Sequence, residues 1–314
     1  MSQEDSIDIK KIFNTLFDRK KMIFLIVLCS ALLSLIYSIS LPNFYRTQAL
    51  LEAVDSSTSE SPGFGDLGGL ASVAGVSIGG PGGGTQAEFA MAITQSRDFF
   101  NSLLQKYDFI LPSLMATSGI NHEDGSIIFD SKKFNSKDKT WIESYSFLNS
   151  KNKPTEQEAY SEYIGNVFKV SRNNKTGYLM MTVEHKSPRF AYDLLSIIIF
   201  EANQQSREKA LEDSSKSLKF LKNEASVNNV SAIDESISSL IEAQLQTQMM
   251  AKVHEDYLLK ILDSPFIPER KSRPQRAIIS IAGTVLGFLI ALIYVLVTSF
   301  LPRLINKEDY INNE

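Results

Sequence analysis

The sequence predicts an α+β membrane protein: two transmembrane helices flank a periplasmic domain made of a small membrane-proximal sheet and a long extended helical hairpin. Three observations carry this prediction. Two uncharged apolar segments, Met22–Leu41 and Ala277–Leu301, stand near opposite ends of the chain, with residues 42–276 between them. Alternating patterns at 44–54 and 164–185 have the period of strands. A helical pattern beginning at Ser187 and Pro188 runs far beyond the length usual in a compact domain.

Each apolar segment is long enough to cross a bilayer, because a helix rising ~1.5 Å per residue needs about 20 apolar residues for a ~30 Å hydrocarbon core. A buried core helix rarely runs so far without a charge. The first segment also differs from a cleaved signal peptide. Glu4, Asp5, Asp8 and Asp18 mix with the bases before it, and Ser38, Ile39 and Ser40 make a poor cleavage site, so an uncleaved anchor is expected. Lys10, Lys11, Arg19, Lys20 and Lys21 precede this helix and only Arg46 follows closely, which places 1–21 in the cytoplasm. A second crossing at 277–301 returns the tail 302–314 to the same side. Arg270, Lys271, Arg273 and Arg276 oppose that orientation locally, against Arg303 and Lys307. The first helix usually dominates, and long loops translocate largely regardless of charge.

With 43% apolar and 22% charged residues the middle of the chain can hold a core, and a net charge of -4 argues against a nucleic-acid partner. The single cysteine, Cys29, lies in the first apolar segment, so the outer domain has no internal disulfide.

Within that domain, Phe44–Val54 reads as a strand. Ile164–Ser171 and Gly177–His185 read as a hairpin about Asn173–Thr176. Gln86–Tyr107 carries Phe89, Ile93, Phe99, Leu103 and Leu104 at helical spacing and is expected to form one helix on the sheet. Ser187 can cap and Pro188 suits the first helical position; Leu194, Ile198, Leu211, Leu218 and Leu221 then extend a helix over 188–227. Asn228 and Asn229 break it. Ser231 with Asp234 resembles a capping box, and Ile233, Ile237, Leu240, Ile241 and Leu245 extend a second helix over 232–262. Amides at Asn203, Gln204, Gln205, Gln244, Gln246 and Gln248 crowd the apolar faces. So thin a core favours association with further copies over a solvated monomeric stalk.

Catalytic motifs are absent. Gly63, Gly65 and Gly68 fit a G-x-G-x-x-G pattern, but the polar run Ser56–Pro62 precedes them where a dinucleotide site needs a strand, and 62–84 reads as a flexible loop. His122, His185 and His254 lack metal-ligand spacing, and His122, Glu123 and Asp124 beside Gly125 read as an exposed turn. No nucleophile motif, cofactor or metal is indicated, and the chain is read as a non-enzyme. Gly283, Gly287 and Ala291 recur every four residues in the second apolar segment, as do Ser30, Ser34 and Ser38 in the first. Such faces let helices approach closely, within the chain or between subunits, although glycine is also simply common in spanning helices.

In their order these features resemble the polysaccharide copolymerase family, the Wzz-type chain-length determinants, in the short form without a kinase domain. The resemblance rests on the charged N-terminus, the strand Phe44–Val54 and the segment Ala87–Phe100, whose Ser96, Arg97 and Phe99 carry a Ser-Arg-x-Phe pattern. It extends to the hairpin entering Ser187 and Pro188, and to the approach Ser264–Arg276 with Pro265, Pro268 and Pro274. Those prolines also make physical sense as a stiff, extended lead into the second span. The resemblance implies a non-catalytic homo-oligomeric ring in the bacterial inner membrane. Such a ring works with a separate polysaccharide polymerase, and with its growing glycan, to set the length of O-antigen or a related surface polysaccharide. It leaves open an inner-membrane component of capsule or exopolysaccharide export, and an activator of a separate tyrosine kinase; Tyr310 alone does not stand in for the tyrosine-rich tail of kinase-bearing relatives.

Overall fold

The computed structural model describes residues 17–54, 85–121, 126–142, 153–227 and 231–311. In chain order its elements begin with α1 (Lys20–Ser40), β1 (Phe44–Ala53), α2 (Gln86–Gln95), α3 (Arg97–Lys106) and α4 (Ile110–Ala116). Two small two-stranded ribbons follow, β2 (Thr117–Ile120) with β3 (Ile127–Phe129), and β4 (Phe134–Asn135) with β5 (Thr140–Trp141). Next come α5 (Glu156–Glu162), a π-helical turn at Tyr163–Val167, β6 (Phe168–Arg172) and β7 (Leu179–His185). The chain then runs through α6 (Pro188–Val227), α7 (Ser231–Val253), β8 (Leu259–Asp263), β9 (Lys271–Arg273) and α8 (Arg276–Ile311). The predicted class holds: two terminal apolar helices flank a mixed helix and sheet domain.

The chain divides into two compact units, 1–43 with 272–314, and 44–271. In the first, α1 and α8 pair with each other, and both are long and apolar enough to cross a membrane. Their outward side chains, such as Phe24 and Leu33, are exposed at 68% and 69%. A soluble core helix would bury such residues.

In the second unit the main strand order is β6-β7-β1-β8, with antiparallel neighbours. Register puts Thr47 opposite Val183, Ala49 opposite Met181 and Leu51 opposite Leu179, while Phe168 pairs with Val183. Alternate residues therefore point the same way. Ala49, Leu51, Leu179, Met181, Val183 and Phe168 are buried, and they join Phe190, Leu194, Leu195 and Ile198 of α6 in one core. The entry to α6 is fixed as its sequence suggests: Ser187 Oγ accepts the amide of Phe190 at 3.3 Å. The nearby Nδ1 of His185 accepts the amide of Ser187 at 3.1 Å.

Three expectations change in detail. The helix foreseen over 86–107 is two helices, because Ser96 adopts an extended conformation (φ -72°, ψ 150°) between α2 and α3. The hairpin strand foreseen from Ile164 starts at Phe168, since the preceding residues complete the π-helical turn. The second long helix, foreseen over 232–262, stops at Val253 and Leu259–Asp263 becomes β8. There an apolar run gains more by pairing with β1, Ala53 facing Leu259 and Leu51 facing Ile261, than by prolonging a helix. The glycine-rich stretch 62–84, the turn His122–Asp124, the break at Asn228 and Asn229, and the basic residues Lys10 and Lys11 lie outside the described residues.

Candidate functional site

The residues singled out in the sequence fall into three groups. Ser96, Arg97 and Phe99 form the joint between α2 and α3. Ser96 closes one helix and opens the next: its amide donates to the carbonyl of Ile93 at 2.9 Å, and its Oγ accepts the amide of Phe99 at 3.2 Å. The last carbonyls of a helix lack intrahelical partners. Here two tyrosine hydroxyls supply them, Tyr163 donating to Thr94 O at 2.9 Å and Tyr160 to Gln95 O at 2.7 Å. The guanidinium of Arg97 lies 5.6 Å from the centroid of the Tyr160 ring, within cation–π range. Phe99 is buried, and its neighbour Phe100 stacks on Tyr163 at 4.6 Å, which stacks in turn on Phe168 at 5.1 Å. Tyr163 is wholly buried, and that burial pushes its hydroxyl pKa well above the ordinary tyrosine value. It stays a donor to Thr94 across the physiological range. The motif thus locks α2 and α3 to the π-helical turn and the edge strand β6.

At its C-terminal end α3 is fixed to α6. The carboxylate of Glu201, 2% exposed, accepts from Tyr107 at 2.7 Å and pairs with Lys106 at 2.7 Å. Desolvation of the phenol and the Glu201 carboxylate together push the Tyr107 pKa up to about 12. Gln205 adds a 2.7 Å bond from Nε2 to Ser102 Oγ.

The proline group lies after β8. Pro268 is buried and Pro265 half-buried, and between them Thr47 Oγ1 donates to the carbonyl of Phe266 at 2.7 Å, which holds this extended segment to β1. Pro274 is half-buried and follows a cis peptide bond.

The third group belongs to the apolar helix pair. Ser30 Oγ donates to Gly283 O at 2.8 Å and Ser34 Oγ to Ile279 O at 2.9 Å. A Cβ added at Gly283 would meet Ser34 Oγ at 2.3 Å, and one added at Gly287 would meet Ser30 Oγ at 2.2 Å. Ala291 and Ser38 are fully buried in the same seam. Serine hydroxyls on one helix thus reach carbonyls on the other only because the facing residues lack side chains.

Glu201 carried no distinguishing mark in the sequence and Asn203 stood out only as one of several amides on the helix faces, yet both are buried polar hubs. Among the described residues no group of three His, Cys, Asp or Glu side chains is placed to hold a metal ion.

Comparison with known proteins gives a match to the family model described as Wzz, chain length determinant protein. The match covers residues 5–107 of the 314. The Wzz match takes in α1, β1, α2 and α3, and with them the Ser96 joint. A search of curated proteins gave no match. Among solved structures, a full-length bacterial polysaccharide co-polymerase is similar at 13% identity, covering 95% of this chain and 99% of its own, with a TM-score of 0.42. A fragment of WzzB, a polysaccharide co-polymerase from Salmonella Typhimurium, is similar at 14% identity, covering 74% of this chain and 100% of its own, with a TM-score of 0.28. Superpositions this loose add nothing to the Wzz match itself.

Proposed function

We propose that this chain is a non-catalytic, inner-membrane polysaccharide co-polymerase that assembles with copies of itself and regulates the chain length of O-antigen or a related surface polysaccharide made by a separate polymerase. The observation that carries this reading is the Wzz chain-length-determinant match over residues 5–107. The basic residues ahead of α1 favour a cytoplasmic N-terminus, with 42–276 outside the cytoplasm.

Self-association has a physical motive in the helical hairpin. The packing of α6 on α7 buries few large apolar groups, Leu218 and Ile237 among them, alongside Ser214 and Gln244. Phe220, Met249 and Val253 stay exposed at 65%, 66% and 73%, and further copies would cover them.

The test is the size distribution of surface polysaccharide, on a gel, from cells with and without this chain. A modal cluster that collapses to random short lengths on deletion is the expected result. An unchanged distribution overturns length control, and polymer trapped inside the cell points to export instead.

A further inference from the structure

The first half of α6, the turn after α7 and the exit of β8 enclose an open cleft of about 470 Å³, within the size range of small-ligand sites. Two aromatic rings, Tyr192 and Phe200, line it, and Phe200 is 58% exposed. Polar groups that are planar or hydroxylic line it too: Gln204 and Arg207 on the same helix, and Asp256 and Ser264 on the other two segments. Glu255 adds a second carboxylate at the rim.

The walls are held in place. Asn203, at the floor, accepts the amides of Leu258 and Leu259 at 2.8 and 2.7 Å and donates to Leu259 O at 2.9 Å, which fixes the turn against α6. Thr47 fixes the segment just beyond Pro265 through Phe266 O. Arg207 donates to Gln204, and Gln204 Nε2 donates to Glu208 at 2.6 Å, so these side chains are oriented before any ligand arrives. A guanidinium carries several further N–H donors beyond the one given to Gln204.

We propose that this cleft is a binding subsite for a neutral oligosaccharide segment, a reading that rests on the proposed role in polysaccharide assembly. A pyranose has C–H bonds on its faces and hydroxyls around its rim. It therefore needs an aromatic plate, as at Phe200 and Tyr192, beside groups that can both donate and accept, as at Arg207, Asp256 and Ser264. The two carboxylates outnumber the one guanidinium, so a uronic acid would bring its charge against net negative charge, and a neutral or N-acetylated sugar is preferred.

The test uses the full chain in lipid nanodiscs, without glycoside detergents, and three probes: chitohexaose, mannohexaose and hexagalacturonate. Saturation-transfer NMR is expected to show contact with one or both neutral hexamers, with hexagalacturonate weaker in low salt. Phe200→Ala, at an exposed position, and Asp256→Asn are each expected to cut the neutral signal about fivefold while leaving the melting temperature unchanged. No transfer to either neutral hexamer, equal transfer in both variants, or a preference for hexagalacturonate overturns the proposal. A change in particle mass in Phe200→Ala with undiminished sugar contact would make the cleft an interface between copies, and overturns it too. Sugar contact in a protein whose deletion leaves glycan length unchanged would refute length control alone, whereas length control without sugar contact would refute the cleft alone.

Discussion

The side chain of Asn203 pairs with Leu259 as a neighbouring strand would, accepting its amide at 2.7 Å and donating to its carbonyl at 2.9 Å. A second amide, from Leu258, reaches the same oxygen at 2.8 Å. An amide in the middle of a forty-residue helix thereby satisfies the backbone at the point where the chain leaves α7 and enters the sheet. Ser215 and Gln248, bonded at 2.9 Å, mark the same antiparallel pairing farther along.

Removing that carboxamide strands three buried backbone groups, and each unmet group costs about 1–3 kcal/mol. Asn203→Ala is expected to cost at least about 3 kcal/mol in total, lowering the melting temperature by roughly 6–12 °C for a domain of this size. Asn203→Asp keeps the acceptor and loses the donor, so its melting point should fall between the two. Differential scanning fluorimetry decides it, and an unchanged Asn203→Ala melting point would show that water replaces the side chain without penalty.

At the Ser96 joint the expected effect is smaller. Ser96→Ala removes the cap on the amide of Phe99, worth about 1 kcal/mol, whereas Ser96→Gly should lose only a few tenths because glycine also tolerates the cap position. The order wild type, glycine, alanine in chemical denaturation is the readout. Alanine as stable as serine would mean that the Tyr160 and Tyr163 hydroxyls alone hold the joint.

In the apolar helix pair, close approach should outweigh hydrogen bonding. An interhelical hydrogen bond in a membrane protein averages about 0.6 kcal/mol, so Ser30→Ala with Ser34→Ala is expected to change thermal stability little. Gly283→Leu with Gly287→Leu must displace Ser34 and Ser30, whose atoms already stand 2.3 and 2.2 Å from an added Cβ. That double variant is expected to separate α1 from α8 and to lower the melting temperature and oligomer yield in detergent. Equal behaviour of the serine and glycine pairs would refute this ranking.

How much of this could be read in advance depends on how local each signal is. The start of α6 was legible because Ser187 and Pro188 act within one turn. The strands β1 and β7 were legible because their alternation faces a single core. The break at Ser96 was hidden, since apolar spacing continues from Ile93 through Phe99 and serine in mid-helix is unremarkable until its partner Phe99 N–H is seen. The end of α7 had a faint signal in the polar run His254, Glu255 and Asp256. Leu258 to Leu262 nevertheless reads equally as helix or strand until its pairing with β1 is known. Asn203 was visible only as one of many face amides, and Glu201 not at all, because their roles depend on Leu259 and on Lys106 and Tyr107, distant in sequence.

His185 supplies a test of stability against pH. Its ring is buried against Phe190 at 4.5 Å between centroids, and its pKa is lowered from 6.5 to about 4, first by desolvation and then by Lys186, despite an opposing hydrogen bond with the backbone of Ser113. The folded protein therefore keeps this ring neutral where the unfolded chain protonates it. Its contribution is fully present above pH 6.5, declines as pH falls towards 4, and changes no further once both states are protonated. The loss amounts to about 3 kcal/mol across that window. Protonation would also remove the Nδ1 acceptor for the Ser187 amide, at the N-terminus of α6, where the helix dipole already disfavours a cation. Carboxylates titrate in the same range, so the informative quantity is the difference between wild type and His185→Gln, measured as urea midpoints from pH 7.5 to 4. The wild type should lose its advantage over the variant as pH drops below 6.5, and parallel curves would show that His185 carries none of the acid sensitivity.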